Sequence, residues 1–211
     1  MTRSEIAHSS AGGIVVGGVR ADAHHPGDQR MVNRNITVSD NRIHDLGLDY
    51  RGVVSVLTTY VTGSDVSHNE VYNMPYTGMS IGYGWGANDA GGSNHYADRG
   101  LYNYQPRYTT ATTASGNRLV GNYVHDVMQQ MTDGGCIYTL SANPNALISD
   151  NYCLRTNGWF GIYFDEAPST TPPGTTSSPT PVPGPPPTTG SPRTWGTSPS
   201  PATGRPTAAP T

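Results

Sequence analysis

The sequence predicts an all-β solenoid, a right-handed parallel β-helix of about five coils. Three observations carry that expectation. One pattern recurs four times: an apolar residue, two variable residues, Asn, and an apolar residue two positions on. It reads Val38-Ser-Asp-Asn41-Arg-Ile43, Val66-Ser-His-Asn69-Glu-Val71, Leu119-Val-Gly-Asn122-Tyr-Val124 and Ile148-Ser-Asp-Asn151-Tyr-Cys153. The Asn-to-Asn steps are 28, 53 and 29 residues, and a fixed period in this range signals stacked structural units. A second short segment follows each Asn by 9 to 13 residues: Gly52–Leu57, Gly78–Tyr83, Gly135–Leu140 and Gly161–Phe164. Finally, apolar and polar residues alternate with period two in segments rich in Val, Ile and Tyr, and no window carries the i, i+3, i+4, i+7 spacing of a helix.

The elements follow in order. Ile6-Ala-His8 and Gly13–Gly17 form one coil that lacks its Asn, and residues 20–34 are a polar excursion from it. The four Asn repeats then give one coil each. The long step of 53 is an ordinary step plus an insertion, the Gly/Asn/Tyr-rich segment 87–113. Stacked coils lie about 4.8 Å apart. An Asn at the same turn of each coil can donate its amide to a carbonyl of the next and tolerates left-handed backbone angles. Asn41, Asn69, Asn122 and Asn151 are therefore read as a structural ladder. Asp45, Asn73 and Asp126, four residues further on, are turn formers.

Composition divides the chain into residues 1–166, the β-helix, and residues 167–211. The second part holds 14 of the 18 prolines, is dense in Thr and Ser, and has only Arg193 and Arg205 as charges. It cannot bury a core and is expected to be disordered. It reads as a linker toward another module or as frame-shifted translation of a GC-rich gene; the absence of Lys beside 12 Arg fits such a gene. A net charge of −3 without a basic patch argues against nucleic acid. No run of eighteen apolar residues suggests a membrane span, and Met1-Thr-Arg-Ser-Glu5 does not resemble a signal peptide. Neither end supplies an evident cap, so the β-helix is read as a fragment truncated on both sides. Cys136 and Cys153, on inward-pointing strand positions, are read as buried free thiols in preference to a disulfide. No cofactor and no metal site is expected, and the chain is read as a monomer.

Three features point to a carbohydrate partner. The insertion carries Tyr96, Tyr102, Tyr104 and Tyr108, with His95 among them, and follows Tyr83 and Trp85. Aromatic faces stack on the apolar faces of sugars, and long insertions tend to be functional. Asp133 precedes the pair Gly134-Gly135, where a substrate can approach the backbone. Asp165 and Glu166 end the matching segment of the next coil. Glycoside hydrolysis needs two carboxyl groups, about 5–5.5 Å apart for retention and 6.5–9.5 Å for inversion. Coil stacking brings carboxylates on neighbouring coils into that range. Asp89, Asp98 and His95 are secondary candidates, and His125 reads as structural.

Met131-Thr-Asp-Gly-Gly-Cys-Ile-Tyr-Thr-Leu140, Gly158-Trp-Phe-Gly-Ile-Tyr-Phe-Asp-Glu166 and Ser80-Ile-Gly-Tyr-Gly-Trp-Gly86 resemble right-handed parallel β-helix proteins of the pectate-lyase-like superfamily. Within it the chain is most similar to glycoside hydrolase family 141, which includes α-L-fucosidases and xylanases. The resemblance covers roughly residues 35–166, as the C-terminal coils of a larger domain. It implies a secreted hydrolase of plant or microbial polysaccharide, with Asp133 and Asp165 as acid/base candidates and Glu166 as substitute. Two positions depart from the pattern: Ser141 and Ala167 stand where Gly is expected. The alternatives are a polysaccharide lyase or epimerase, and a non-catalytic glycan-binding or surface β-helix. A lyase wants a Lys or Arg base beside clustered acids; Lys is absent, and only Arg51, Arg99 and Arg107 lie near candidate positions.

Overall fold

The computed structural model describes residues 1–158 and 160–165. Fourteen short strands appear in chain order: β1 (Glu5–Ala7), β2 (Ile14–Val16), β3 (Thr37–Ser39), β4 (Arg42–His44), β5 (Val56–Thr58), β6 (Asp65–Ser67), β7 (Glu70–Tyr72), β8 (Met79–Ile81), β9 (Arg118–Val120), β10 (Tyr123–Val127), β11 (Gly135–Thr139), β12 (Leu147–Ser149), β13 (Tyr152–Thr156) and β14 (Phe160–Phe164). They build three sheets, ordered β1-β4-β7-β10-β13, β2-β5-β8-β11-β14 and β3-β6-β9-β12. Every pairing between these strands is parallel. Successive triplets, such as β6-β7-β8, each contribute one strand to every sheet. That is a parallel β-helix with one partial and four full coils.

The coils are short because left-handed residues turn the chain at fixed places. Asp40, His68, Gly121 and Asp150 have positive φ between the third-sheet and first-sheet strands. Asp45 and Asn73 have it just after β4 and β7, and Asp126 and Arg155 have it at the equivalent positions inside the longer β10 and β13. The left-handed angle therefore falls on the residue before each ladder Asn, and not on the Asn as its backbone tolerance suggested. This frees the Asn to point inward. Asn41, Asn69 and Asn122 are buried, and each Nδ2 donates to the Oδ1 of the next: Asn41 to Asn69 at 2.8 Å, Asn69 to Asn122 at 3.0 Å, Asn122 to Asn151 at 2.9 Å. The same Oδ1 atoms accept the backbone N–H of the preceding Asn. The second amide hydrogen goes to a carbonyl one coil back, from Asn69 to Val38 and from Asn122 to Val66.

Inside, equivalent residues stack in columns: Ile43, Val71 and Val124 in the first sheet, Val38, Val66 and Leu119 in the third, Val56, Met79 and Ile137 in the second. Each such side chain contributes roughly 1.5–3 kcal/mol by leaving water.

Cys136 and Cys153 correct one expectation. They form a disulfide, with Cα atoms 6.1 Å apart, inside the range a bridge can span. The interior of a β-helix is shared between coils. Cys136 is the second residue of β11 in the fourth coil and Cys153 lies on β13 in the fifth, so two inward positions on different sheets meet across the axis.

Residues 20–34 leave the first coil as expected and carry a short helix, α1 (Ala21–His24), and a 3₁₀ turn at Gln29–Met31. The insertion carries α2 (Asn94–Asp98) and a 3₁₀ turn at Leu101–Asn103. The expected tail 167–211 lies outside the described residues, as does Glu166.

Candidate functional site

The outer face of the second sheet presents a column set by strand register: Ser80 on β8, Tyr138 on β11 and Tyr163 on β14. The two tyrosine rings stack with centroids 5.1 Å apart, and Phe160 stacks on Tyr163 at 5.0 Å. Asp133 enters this face from the turn before β11, and Asp165 from the end of β14. Asp133 has φ of 62°, a left-handed conformation that few non-glycine residues adopt and that clusters at functional sites.

Tyrosines bind both carboxylates. The Tyr138 hydroxyl donates to Asp165 Oδ2, and the Trp85 indole N–H donates to the same oxygen at 3.1 Å. The Tyr163 hydroxyl donates to Asp133 Oδ1 at 3.3 Å, and the Tyr76 hydroxyl to the Asp133 carbonyl at 2.6 Å. Burial raises the Tyr138 hydroxyl pKa well above its ordinary value, and the bond to Asp165 adds to the rise. Burial and the fields of Asp133 and Asp165 likewise raise Tyr76. Tyr163 rises through desolvation and then through the same two carboxylates. One cluster of tyrosines therefore senses both acids. Beside it lies a pocket of about 200 Å³ lined by Thr132, Asp133, Gly134, Asn157, Gly158, Phe160 and Tyr163.

Trp85 reaches Asp165 because the chain after β8 turns through Gly82, Gly84, Trp85 and Gly86, all at positive φ. Gly82 has no substitute here: a Cβ would lie 1.6 Å from the Leu140 carbonyl oxygen. Ser141, where the family pattern suggests Gly, also has positive φ, at 60°. Its hydroxyl accepts the Gly86 N–H at 3.0 Å and donates to the Tyr83 carbonyl. The serine tethers the Trp85 turn in return for its backbone strain.

The remaining expected residues are placed as follows. Tyr83 is partly exposed and meets Tyr60 edge-on at 6.3 Å. Tyr102 is held within the insertion, accepting from the Ser93 N–H and donating to the Ala87 carbonyl, with Arg107 over its ring. Tyr108 stacks on His25 with centroids 3.9 Å apart, alongside the first coil's excursion. His95 packs on Tyr96, and Tyr104 is exposed. Asp89 is buried and accepts the Ala142 N–H at 3.0 Å; burial raises its pKa. His125 stacks on Tyr72 at 5.0 Å. The structure thus brings Asp133, Asp165 and Trp85 together, and it gives Tyr102 and Tyr108 bonds elsewhere. Sequence reasoning missed Tyr76, Tyr138 and Tyr163. The matched triplets Cys-Ile-Tyr138 and Gly-Ile-Tyr163 held the signal for two of them. Among the described residues no group of three His, Cys, Asp or Glu is placed to hold a metal ion, and no helix is long and apolar enough to cross a membrane.

No protein-family model matches the chain, and no curated protein matches it. A solved structure titled "Glycoside hydrolase" is similar, with a TM-score of 0.57 and 19% identity. The match covers 79% of this chain and 32% of that one, so this chain spans about a third of its neighbour's length. At that identity the likeness establishes the fold, a parallel β-helix architecture that a glycoside hydrolase also uses.

Proposed function

We propose that the chain is part of a carbohydrate-active β-helix protein, a glycoside hydrolase of the pectate-lyase-like superfamily with family 141 as its nearest kind. The observation that carries this is the pair Asp133 and Asp165, held on one face by the stacked Tyr138 and Tyr163 beside an open pocket. Hydrolysis of a glycosidic bond asks for two carboxyl groups: one protonates the leaving oxygen, and the other activates water or attacks the sugar carbon. Tyr138 and Trp85 both bond Asp165 Oδ2. They orient the carboxyl group and leave Oδ1 for substrate. Phe160 and Tyr163 offer the aromatic surface on which a sugar stacks. A plant or microbial polysaccharide would be the substrate, and the protein would be exported. The Cys136–Cys153 disulfide supports export, because such bridges persist in oxidising compartments.

The test is hydrolysis of a panel of plant cell-wall oligosaccharides by the complete protein, with Asp133→Asn and Asp165→Asn variants. Each variant should lose turnover by about 10³-fold or more while remaining folded. Unchanged turnover in both would reject the site. Glycan binding without turnover in the unmodified protein would favour the non-catalytic reading.

A further inference from the structure

A second cavity shares no lining residue with the Asp133 pocket. Its volume is about 560 Å³, and its walls are the first-coil excursion and the returning end of the insertion. The two walls are sewn together. Thr113 Oγ1 donates to the Ala23 carbonyl at 2.7 Å, the Thr113 N–H to the His24 carbonyl at 3.2 Å, and Thr62 Oγ1 to the Thr113 carbonyl at 2.7 Å. Tyr108, stacked on His25, locks the corner.

The proton positions on the paired histidines follow from their partners. His25 Nε2 lies 2.8 Å from the Thr110 carbonyl oxygen. A carbonyl only accepts, so His25 carries its proton on Nε2. With both rings neutral, His25 Nδ1 is then an acceptor, and the 2.6 Å contact with His24 Nδ1 requires the proton on His24 Nδ1. His24 Nε2 is left as a bare lone pair. His24 is 5% exposed as a residue, lines the cavity, and its ring is clamped edge-on by Tyr60 and Tyr108. Burial, and then the neighbouring His25, lower its pKa and keep it neutral. No described residue bonds that nitrogen.

Arg34 also lines the cavity, with Gln29, Thr110 and Thr112. Its guanidinium has five N–H donors, and among the described residues it commits one of its nitrogens, to the Gln29 carbonyl at 3.1 Å. Among the described residues no carboxylate lines the cavity. Of the nearby acids, Asp28 pairs with Arg30 at 2.6 Å and Asp89 bonds Ala142, while Asp22 acts on His24 through its field. We propose that this cavity binds an acidic saccharide unit, with its carboxylate on Arg34 and a hydroxyl donated to His24 Nε2. An unprotonated imidazole nitrogen accepts from a ligand hydroxyl, and a guanidinium with uncommitted N–H donors takes an anion, bidentately where it reaches both oxygens. A sugar acid supplies both on one ring.

The experiment uses the full chain, calorimetry, and ¹⁵N histidine spectra with D-glucuronate, D-glucose, acetate and inorganic phosphate as probes. Glucuronate should bind and move the His24 Nε2 resonance, while glucose and acetate bind about tenfold more weakly or worse. Arg34→Gln, a substitution at the surface, should weaken glucuronate by about tenfold or more. Asp165→Asn should leave glucuronate binding intact, so failure of the hydrolase reading and failure of this site are told apart. Glucuronate that leaves His24 unmoved, binding indifferent to Arg34→Gln, or acetate or phosphate binding equally well would overturn the proposal.

Discussion

Tyr138 and Asp165 lie on neighbouring coils, 27 residues apart, and the tyrosine hydroxyl donates to the carboxylate oxygen that also accepts the Trp85 indole proton. β11 and β14 pair with Tyr138 opposite Tyr163, so Asp165, two residues further on, falls at the end of the tyrosine ring. Asp165→Ala should remove the acceptor and shift the Trp85 indole N–H resonance upfield. Asp165→Asn keeps an acceptor oxygen and should shift it less. An indole resonance indifferent to both would show that the contact is absent in solution.

The Asn ladder predicts a graded loss of stability. Asn122 is buried, donates to Asn151 and Val66, and accepts twice from Asn69. Asn122→Ala should cost on the order of 3–5 kcal/mol, because several buried partners lose their bonds together. Asn151, partly buried at the end of the ladder, should cost less. Denaturant unfolding of the two variants measures the difference, and equal costs would contradict a cooperative ladder.

Reduction of Cys136–Cys153 should also destabilise the β-helix. The bridge closes a loop of 17 residues, for which chain entropy suggests about 3 kcal/mol. A Cys136→Ser, Cys153→Ser double variant should melt at lower temperature than the oxidised protein and should no longer respond to reductant.

The first sheet predicts a stability that falls on both sides of neutral pH. Burial disfavours the charged His44 ring, but hydrogen bonds to Glu5 at 3.0 Å and Asp45 at 2.6 Å outweigh it and raise its pKa above 6.5. That contribution is fully present below the unfolded value of 6.5 and is lost as pH rises through the folded one. Asp126 behaves oppositely. Arg155, and then His125, hold its carboxyl well below 3.8. Its contribution is present above the unfolded value and is lost as pH falls through the folded one. Melting temperatures recorded against pH should show both arms. His44→Gln should flatten the alkaline arm and also weaken the acid arm, because its bonds hold the Glu5 and Asp45 carboxyls low; Asp126→Asn should flatten the acid arm.

Two tyrosines of the insertion should differ in kind. Tyr108→Ala removes the stack on His25 and should cost about 0.5–1.5 kcal/mol beyond lost burial. Tyr104 is 76% exposed, and its replacement by Ala should stay within about 0.5 kcal/mol of zero. A thermal shift reads both, and a larger effect at Tyr104 would place that ring against a wall not seen here.

The sequence by itself determined the coil. Asn at steps of 28 and 29 residues, with Val and Ile around it, encodes stacking because each repeat is one local unit whose turn residues and apolar column are read along the chain. It also marked Asp133, Asp165 and Trp85, since each sits beside a recognisable glycine turn or repeat end. Tertiary structure alone decided what crosses between coils. Cys136 reached Cys153 because two sheets share one interior. Tyr138 reached Asp165 because register placed them on adjacent coils. Tyr108 turned to His25 because the insertion folds back over 83 residues of sequence to the first coil. Such pairings depend on where a loop returns, and a repeat of local units carries no information about that return.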